Sequence, residues 1–139
     1  MSSELVNVAA DLEAYLVDTC PPEWRVINGE KYGSRVNGIV LAYDQLDITT
    51  SVLGTDVTPG FVAVGFDLYL IAPETDAVKG LLRVTSAMAD LYRALDQTDQ
   101  IPYADAQRGR LETGESTYRL PVAVITTYLP ITPLETPAP

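Results

Sequence analysis

The amino-acid sequence predicts an α+β domain in which a mainly antiparallel sheet of about four strands is packed by two amphipathic helices. Two segments, near residues 5–16 and 75–96, repeat apolar residues at three-and-four spacing, which gathers these residues on one helical face. Residues 61–71 alternate between a wholly apolar face and a mixed face, as a strand does when its sheet is packed on one side. Helices and sheets of this kind bury their apolar faces against each other.

The first half of the chain is predicted to run helix, strand, strand. The opening helix ends at Pro21-Pro22, since proline cannot continue a helix. A short strand follows at residues 24–27. A second strand begins at residues 39–43 and continues through the alternating residues up to 49. The polar residues 50–60 are interpreted as a loop or as the tip of a long hairpin.

The second half is predicted to run strand, helix, strand. After the strand at 61–71, the long helix presents one apolar stripe, formed by Val78, Leu81, Leu82, Met88, Leu91, Tyr92 and Leu95. Residues 97–117 are polar and are interpreted as a loop before the last strand, 118–129. Pro121 has no N–H to donate, so this strand is expected to lie at a sheet edge there or to bulge.

No internal repeat or linker divides the chain, and we expect one α/β domain over residues 1–130. The segment 131–139 is rich in proline and is expected to be an extended or disordered C-terminal tail, which is a candidate for contact with a neighbouring chain.

Charge and hydropathy exclude several kinds of partner. The chain has 139 residues, is 47% hydrophobic and carries a net charge of −10. A nucleic-acid backbone is bound through clustered Lys and Arg, so this chain is not expected to hold DNA, and an anionic membrane surface would repel it. No apolar run approaches the ~20 residues of a membrane-spanning helix, and no signal peptide is expected.

The sequence contains no recognisable catalytic apparatus, and we expect no enzyme activity, cofactor or metal. Without histidine, the single cysteine, Cys20, cannot form a Cys–His pair. The glycines match neither a dinucleotide-binding motif nor a P-loop. The acid pairs Asp44/Asp47 and Asp96/Asp99 are interpreted as solvated surface, with a cation site as the alternative. For an enzyme with an unfamiliar site, Asp67 on the strongest strand is the acid to test.

Tyrosine and arginine side chains, which are often energetically important at protein interfaces, cluster late in the chain. They are Tyr103, Arg108, Arg110, Tyr118 and Arg119. Seven of the nine basic residues are arginines, which favours bidentate pairing with carboxylates of a partner chain. The alternative is local pairing with Glu112 and Glu115 inside one hairpin.

The order and pattern of these segments resemble the tail terminator proteins of long-tailed bacteriophages. The similar segments are the short strand at residues 21–26, the strand at 60–73, the long helix at 74–95 and the last strand at 118–129. Together with the opening helix, the resemblance covers the chain from about residue 5 to residue 129 and implies a tail-terminator-like fold.

The resemblance implies a structural virion protein, assembled in the host cytoplasm, that forms a homohexameric ring. Such a ring caps the tail tube, joins it to head–tail connector or neck proteins, and lets genomic DNA pass without specific binding. Pro121 would join the interface residues named above, and Asp44, Asp47 and Asp56 are candidate acids of the lumen or its loops. The alternatives are another head–tail connector, neck or minor tail protein and, from a different class, a small cytosolic ligand-binding domain.

Overall fold

Two helices pack on one face of a five-stranded mixed sheet. The computed structural model of the protein describes residues 5–29 and 38–128, so the proline-rich tail lies outside the described residues. A 3-10 turn, Leu5–Asn7, leads into the first helix. The elements are, in chain order, α1 (Val8–Thr19), β1 (Arg25–Asn28), β2 (Val40–Thr49), β3 (Ser51–Val52), β4 (Thr55–Asp56), β5 (Phe61–Ile71), α2 (Ala77–Leu95), β6 (Gln107–Arg110) and β7 (Ser116–Thr127).

The predicted α+β class is confirmed, with a richer sheet than the sequence indicated. The strand order is β1-β2-β5-β7-β6, and β3 pairs with β4 in a separate two-stranded ribbon. Every pairing in the main sheet is antiparallel except that of β1 with β2, which run parallel in the register Arg25↔Val40 to Asn28↔Tyr43. The additional strand β6 lies inside the stretch that the sequence predicted to be a loop.

The core lies between the helices and the face of β5 that the sequence predicted to be apolar. Val64, Phe66, Leu68 and Leu70 are inaccessible to solvent, whereas Gly65, Asp67 and Tyr69 on the alternate face are half-buried. Helix α1 contributes its own buried stripe, Val8, Leu12 and Leu16. Two tyrosine hydroxyls fix α1 in place, since Tyr15 donates to the Ala94 carbonyl and Tyr43 donates to Glu13, each at 2.7 Å.

The buried stripe of α2 differs from the predicted one at its N-terminal end. Met88, Leu91 and Leu95 are buried as predicted, but Val78 and Leu82 are 69% and 67% exposed. The face that packs on the sheet contains several small residues and comprises Gly80, Val84, Ala87, Met88, Leu91, Ala94 and Leu95. The prediction followed bulky aliphatic residues and so placed the start of the stripe on the wrong side of the helix.

The last strand does not lie at the sheet edge near Pro121, so the first of the two expectations is wrong; the second, a bulge, is met here in the chain that pairs with β7. β7 lies between β5 and β6, and Pro121 is paired with Asp67 of β5. On the other side of β7, the pairing segment runs from Gln107, opposite Arg119, back to Tyr103, opposite Val122. This segment advances four residues while β7 advances three, so it holds one extra residue. The missing N–H of proline faces this irregular side, where the Pro121 carbonyl accepts from Ala104 N at 2.9 Å.

Candidate subunit interface

An open groove separates the first half of α2 from the edge strand β6. Its volume is ≈ 560 Å³. The helix side is apolar, since Val78 and Leu82 are mainly exposed and Leu81 is half-buried against the core. The strand side supplies two arginines. The lining residues are Ala77, Val78, Leu81, Leu82, Arg108, Gly109, Arg110 and Ser116. We call this surface the α2–β6 groove.

The backbone of β6 adds outward-facing hydrogen-bonding groups to the groove. Among the residues that the structure describes, β6 pairs only with β7, and all four of its residues are exposed. Leu111 N donates to the Glu115 carbonyl at 2.9 Å, so the odd-numbered residues of this segment direct their backbone groups toward β7. The N–H and C=O groups of Arg108 and Arg110 therefore face outward. An edge strand of this kind is a template for pairing with another chain.

Arg108 and Arg110 have no acidic partner within the described part of the chain. Other arginines on the same molecule are paired: Arg83 with Glu74 at 2.6 Å, Arg93 with Asp90, and Arg119 with Asp67 at 3.2 Å. The local pairing of Arg108 or Arg110 with Glu112 and Glu115, considered as an alternative, is not formed among the described residues; Glu115 is buried and accepts from the Thr113 hydroxyl. Two guanidinium groups in a groove of a chain with net charge −10 are thus available to an outside carboxylate.

The floor of the groove depends on a close approach of α2 to the start of β7. A Cβ atom added to Gly80 would lie 3.0 Å from the Glu74 carbonyl oxygen and 3.0 Å from Ser116 Oγ. Glycine at this position therefore lets the helix pack closely on β7, which sets Val78 and Leu82 beside β6. The Asp76 carboxylate caps the helix at this end by accepting from the backbone N–H groups of Val78 and Lys79 at 3.0 and 2.9 Å.

The two tyrosines predicted at the interface take part mainly in intramolecular packing. The Tyr103 hydroxyl donates to Asp96 at 2.7 Å, and this bond raises the pKa of the phenol. Its ring lies 5.2 Å from that of Tyr92, between centroids. Tyr118 is opposite Arg108 in the β6–β7 register and packs against the core.

Arg119 and Pro121 lie on the opposite face of the sheet, away from the helices. Arg119 Nε lies 3.2 Å from Asp67, and Arg119 Nη1 donates to Gln107 at 3.2 Å. Burial, followed by the nearby Asp67 carboxylate, raises the pKa of Tyr69 in the same cluster. Asp67, the acid to test for an enzyme, is thus engaged by an arginine, and the structure divides the six predicted interface residues between two faces.

The three candidate lumen acids do not form one cluster. Asp44 is half-buried in the middle of β2, and a Cβ atom added to Gly29 would overlap its carboxylate. Asp47 and Asp56 are exposed, farther along the β2–β5 hairpin.

Sequence reasoning found the arginines of the groove but missed its apolar half. Val78 and Leu82 are four residues apart and so share one helical side, yet neither fits the spacing that links Gly80, Val84, Ala87 and Leu91. Counting glycine and alanine as candidate packing residues would have shown that two bulky side chains lie off the buried stripe.

No protein-family model matches the chain, and no curated protein matches it in sequence. Among solved structures, it is similar to the sheath/tube terminator of an extracellular contractile injection system (PVC) in the extended state, with 11% sequence identity and a TM-score of 0.46. The match covers all of this chain and 64% of the length of that one. A likeness of this degree identifies neither a function nor a partner.

No helix in the described part of the chain is long and apolar enough to cross a membrane.

Proposed function

We propose that the protein is a structural subunit of a phage-type tail, which assembles with copies of itself into a ring through the α2–β6 groove. The groove is the observation that carries this proposal. Within the described part of the chain, it combines exposed aliphatic side chains, an open strand edge and two arginines without an acidic partner on one surface. These are three features that favour contact with another protein chain.

The apolar half of the groove supplies the driving force for such a contact. Burying a leucine or valine side chain that is now exposed stabilises a complex by roughly 1.5–3 kcal/mol before the costs of association. Val78 and Leu82 are more than two-thirds exposed in the single chain, so most of this gain is still available. The arginines add direction, since a guanidinium selects a carboxylate partner by bidentate geometry.

The tail terminator is the form of this function that the sequence resemblance implies. In that role a homohexameric ring caps the tail tube, meets the head–tail connector or neck proteins, and acts without catalysis. Genomic DNA passes through the ring without being bound, which suits a chain with net charge −10, because phosphates are repelled rather than held. Another head–tail connector is the alternative that preserves the ring.

The test is the mass of the protein in solution, measured by light scattering on a size-exclusion column with and without the cognate tail tube protein. The chain alone has a mass of 15.1 kDa, and a hexamer would have about six times that, ~91 kDa. We expect the ring in at least one of the two conditions. A chain that stays monomeric in both refutes the proposal, and stabilisation by a small ligand in a thermal-shift screen would then favour a ligand-binding domain.

A matched pair of variants tests the role of the groove. Val78→Ser combined with Leu82→Ser removes the exposed apolar side chains of the groove and should abolish the ring. Val6→Ser combined with Val17→Ser removes two valines that are 85% and 58% exposed elsewhere, and should leave the ring intact. Equal effects of the two pairs would show that assembly depends on general surface hydrophobicity and would remove the groove from the proposal.

A further inference from the structure

We propose that the α2–β6 groove of one copy receives the distal part of the β2–β5 hairpin of the next copy. We call this part, residues 46–60, the arm. The inference rests on the proposed function and adds to it the identity of the surface that fills the groove. It follows from the shape of the arm, its surface chemistry and its position relative to the groove of the same chain.

A β-bulge at the start of the arm interrupts the pairing of β2 with β5. Asp44 and Gln45 pair with Asp67 and Phe66, but the pairing resumes only at Ile48 with Val64, so β2 holds one extra residue. β3 and β4 then form a small ribbon, in which Ser51 pairs with Asp56. The two-residue turn between them consists of Leu53 and Gly54, with φ angles of 51° and 82°. Two successive positive φ angles are the signature of a type I′ hairpin turn.

The surface of the arm is apolar and acidic. Leu46, Ile48 and Leu53 are 47%, 53% and 68% exposed. The charged side chains of the arm are Asp47 and Asp56, both exposed, and no Lys or Arg occurs anywhere between residues 38 and 78. The arm therefore presents the two properties that complement the groove, which is apolar and is lined by Arg108 and Arg110.

Leu53 is an unusual residue for its position. A type I′ turn favours Asn, Asp or Gly there, because a side chain with a Cβ atom is strained at positive φ. An exposed leucine at this position gains little from packing within its own chain. A side chain that is kept in a strained and exposed position fits a role in contact with another molecule.

The arm and the groove of one chain lie on opposite faces of the sheet. The groove faces α2. The arm folds over the other face, where Leu46 lies 3.4 Å from the Cβ position of Gly65, and Val52 and Leu53 border the recess beside Pro121 and Ala123. Along β7, the groove at Ser116 and the arm at Ala123 are also seven residues apart, about 23 Å at ~3.3 Å per residue.

A chain therefore cannot place its own arm in its own groove, and the contact must join two copies. Because the two surfaces differ, the contact is heterologous, and a repeated heterologous contact closes into a ring when the rotation between copies permits. In this arrangement Asp47 and Asp56 meet Arg108 and Arg110 of the neighbour. These two acids then belong to the subunit contact instead of the lumen.

Charge reversal on each surface separately provides the test. Arg108→Glu with Arg110→Glu makes the groove acidic against an acidic arm. Asp47→Arg with Asp56→Arg makes the arm basic against a basic groove. Each double variant alone should assemble at least about 100-fold more weakly than wild type, because like charges are brought together in the contact. Circular dichroism should show that both remain folded, since all four side chains are exposed.

Mixing the two double variants is the decisive step. Each arm in an alternating ring then meets a groove of opposite charge, so an equimolar mixture should recover the mass of the wild-type assembly. Recovery requires that these two surfaces touch each other, and unrelated electrostatic effects would not produce it. A control for the arm variant is Asp18→Arg with Glu23→Arg, and a control for the groove variant is Arg25→Glu with Arg93→Glu. These controls change the net charge equally on other exposed positions and should assemble normally.

The outcomes separate this inference from the proposed function. If wild type assembles and the arm variant also assembles, or if the mixture fails to recover, the arm does not fill the groove, although the ring remains. If wild type does not assemble with or without the cognate tail tube protein, both proposals fall. If the ring forms only with tube protein, the same mixtures are measured in its presence.

Discussion

Helix α2 carries two leucines that the sequence pattern treats alike and the structure treats oppositely. Leu91 is inaccessible to solvent, whereas Leu82 is 67% exposed. Replacing each with alanine removes the same atoms from the same helix. The free energy of unfolding of the two variants therefore measures burial directly, with helix propensity held constant.

The two variants are expected to differ widely in the free energy of unfolding. Leu91→Ala removes about three buried carbons, worth ~0.8 kcal/mol each, and leaves a cavity that raises the total to roughly 3 kcal/mol. For a domain of this size that corresponds to a fall in Tm of about 10 °C. Leu82→Ala should change the free energy of unfolding by no more than about 0.5 kcal/mol.

The assay is urea denaturation followed by circular dichroism, with the m-value checked for constancy. It should be done in the Arg108→Glu, Arg110→Glu background, because assembly through Leu82 would otherwise add to the apparent stability. A loss for Leu82→Ala close to that for Leu91→Ala would mean that Leu82 is buried in the single chain. The α2–β6 groove would then not exist as an open surface of the single chain, and Leu82 could not contribute to an interface.

Three further predictions concern single side chains. Asp76→Ala should lower the free energy of unfolding more than Asp76→Asn, because asparagine can still cap α2. Backbone hydrogen bonds hold the pKa of Asp76 below its usual value. In acid titrations of unfolding, the stability advantage of wild type over Asp76→Ala should therefore be present above about pH 4 and shrink as the pH falls below it. Burial raises the pKa of Tyr43 to about 12, so the free energy of unfolding of wild type should fall between about pH 10 and pH 12. Tyr43→Phe should make this fall with pH less steep in alkaline unfolding curves, and an unchanged pH dependence would contradict the prediction. Tyr103→Phe removes the hydrogen bond to Asp96 and should lower the free energy of unfolding, measured by thermal unfolding, by less than about 1 kcal/mol. The assembled mass should stay at the wild-type value, and loss of the ring would show that Tyr103 belongs to the interface.

The elements that the sequence predicted well are those whose burial pattern is local. The alternation along β5 predicted both its extent and its buried face, because Val64, Phe66, Leu68 and Leu70 all lie on the same side of the strand.

The elements that were missed depend on distant parts of the chain. β6 has the sequence Gln-Arg-Gly-Arg, with no apolar alternation, and it is a strand only because β7 offers it a pairing edge. The same holds for the position of Pro121, since nothing near it in sequence indicates that residues 103 and 104 return to cover that side of β7. Pairing partners of this kind are set by the tertiary fold.

The candidate interface also combines features that residue type predicts with features that depend on distant parts of the chain. Residue type alone identified Arg108 and Arg110, because guanidinium groups are common at interfaces whatever the fold. Residue type could not separate them from Arg119, which the fold pairs with Asp67. What distinguishes an arginine that is available to a partner from one already paired is an acid that the fold places beside it, as it places Asp67 of β5 beside Arg119 of β7. The charge-swap experiment therefore tests the three-dimensional arrangement and not the composition.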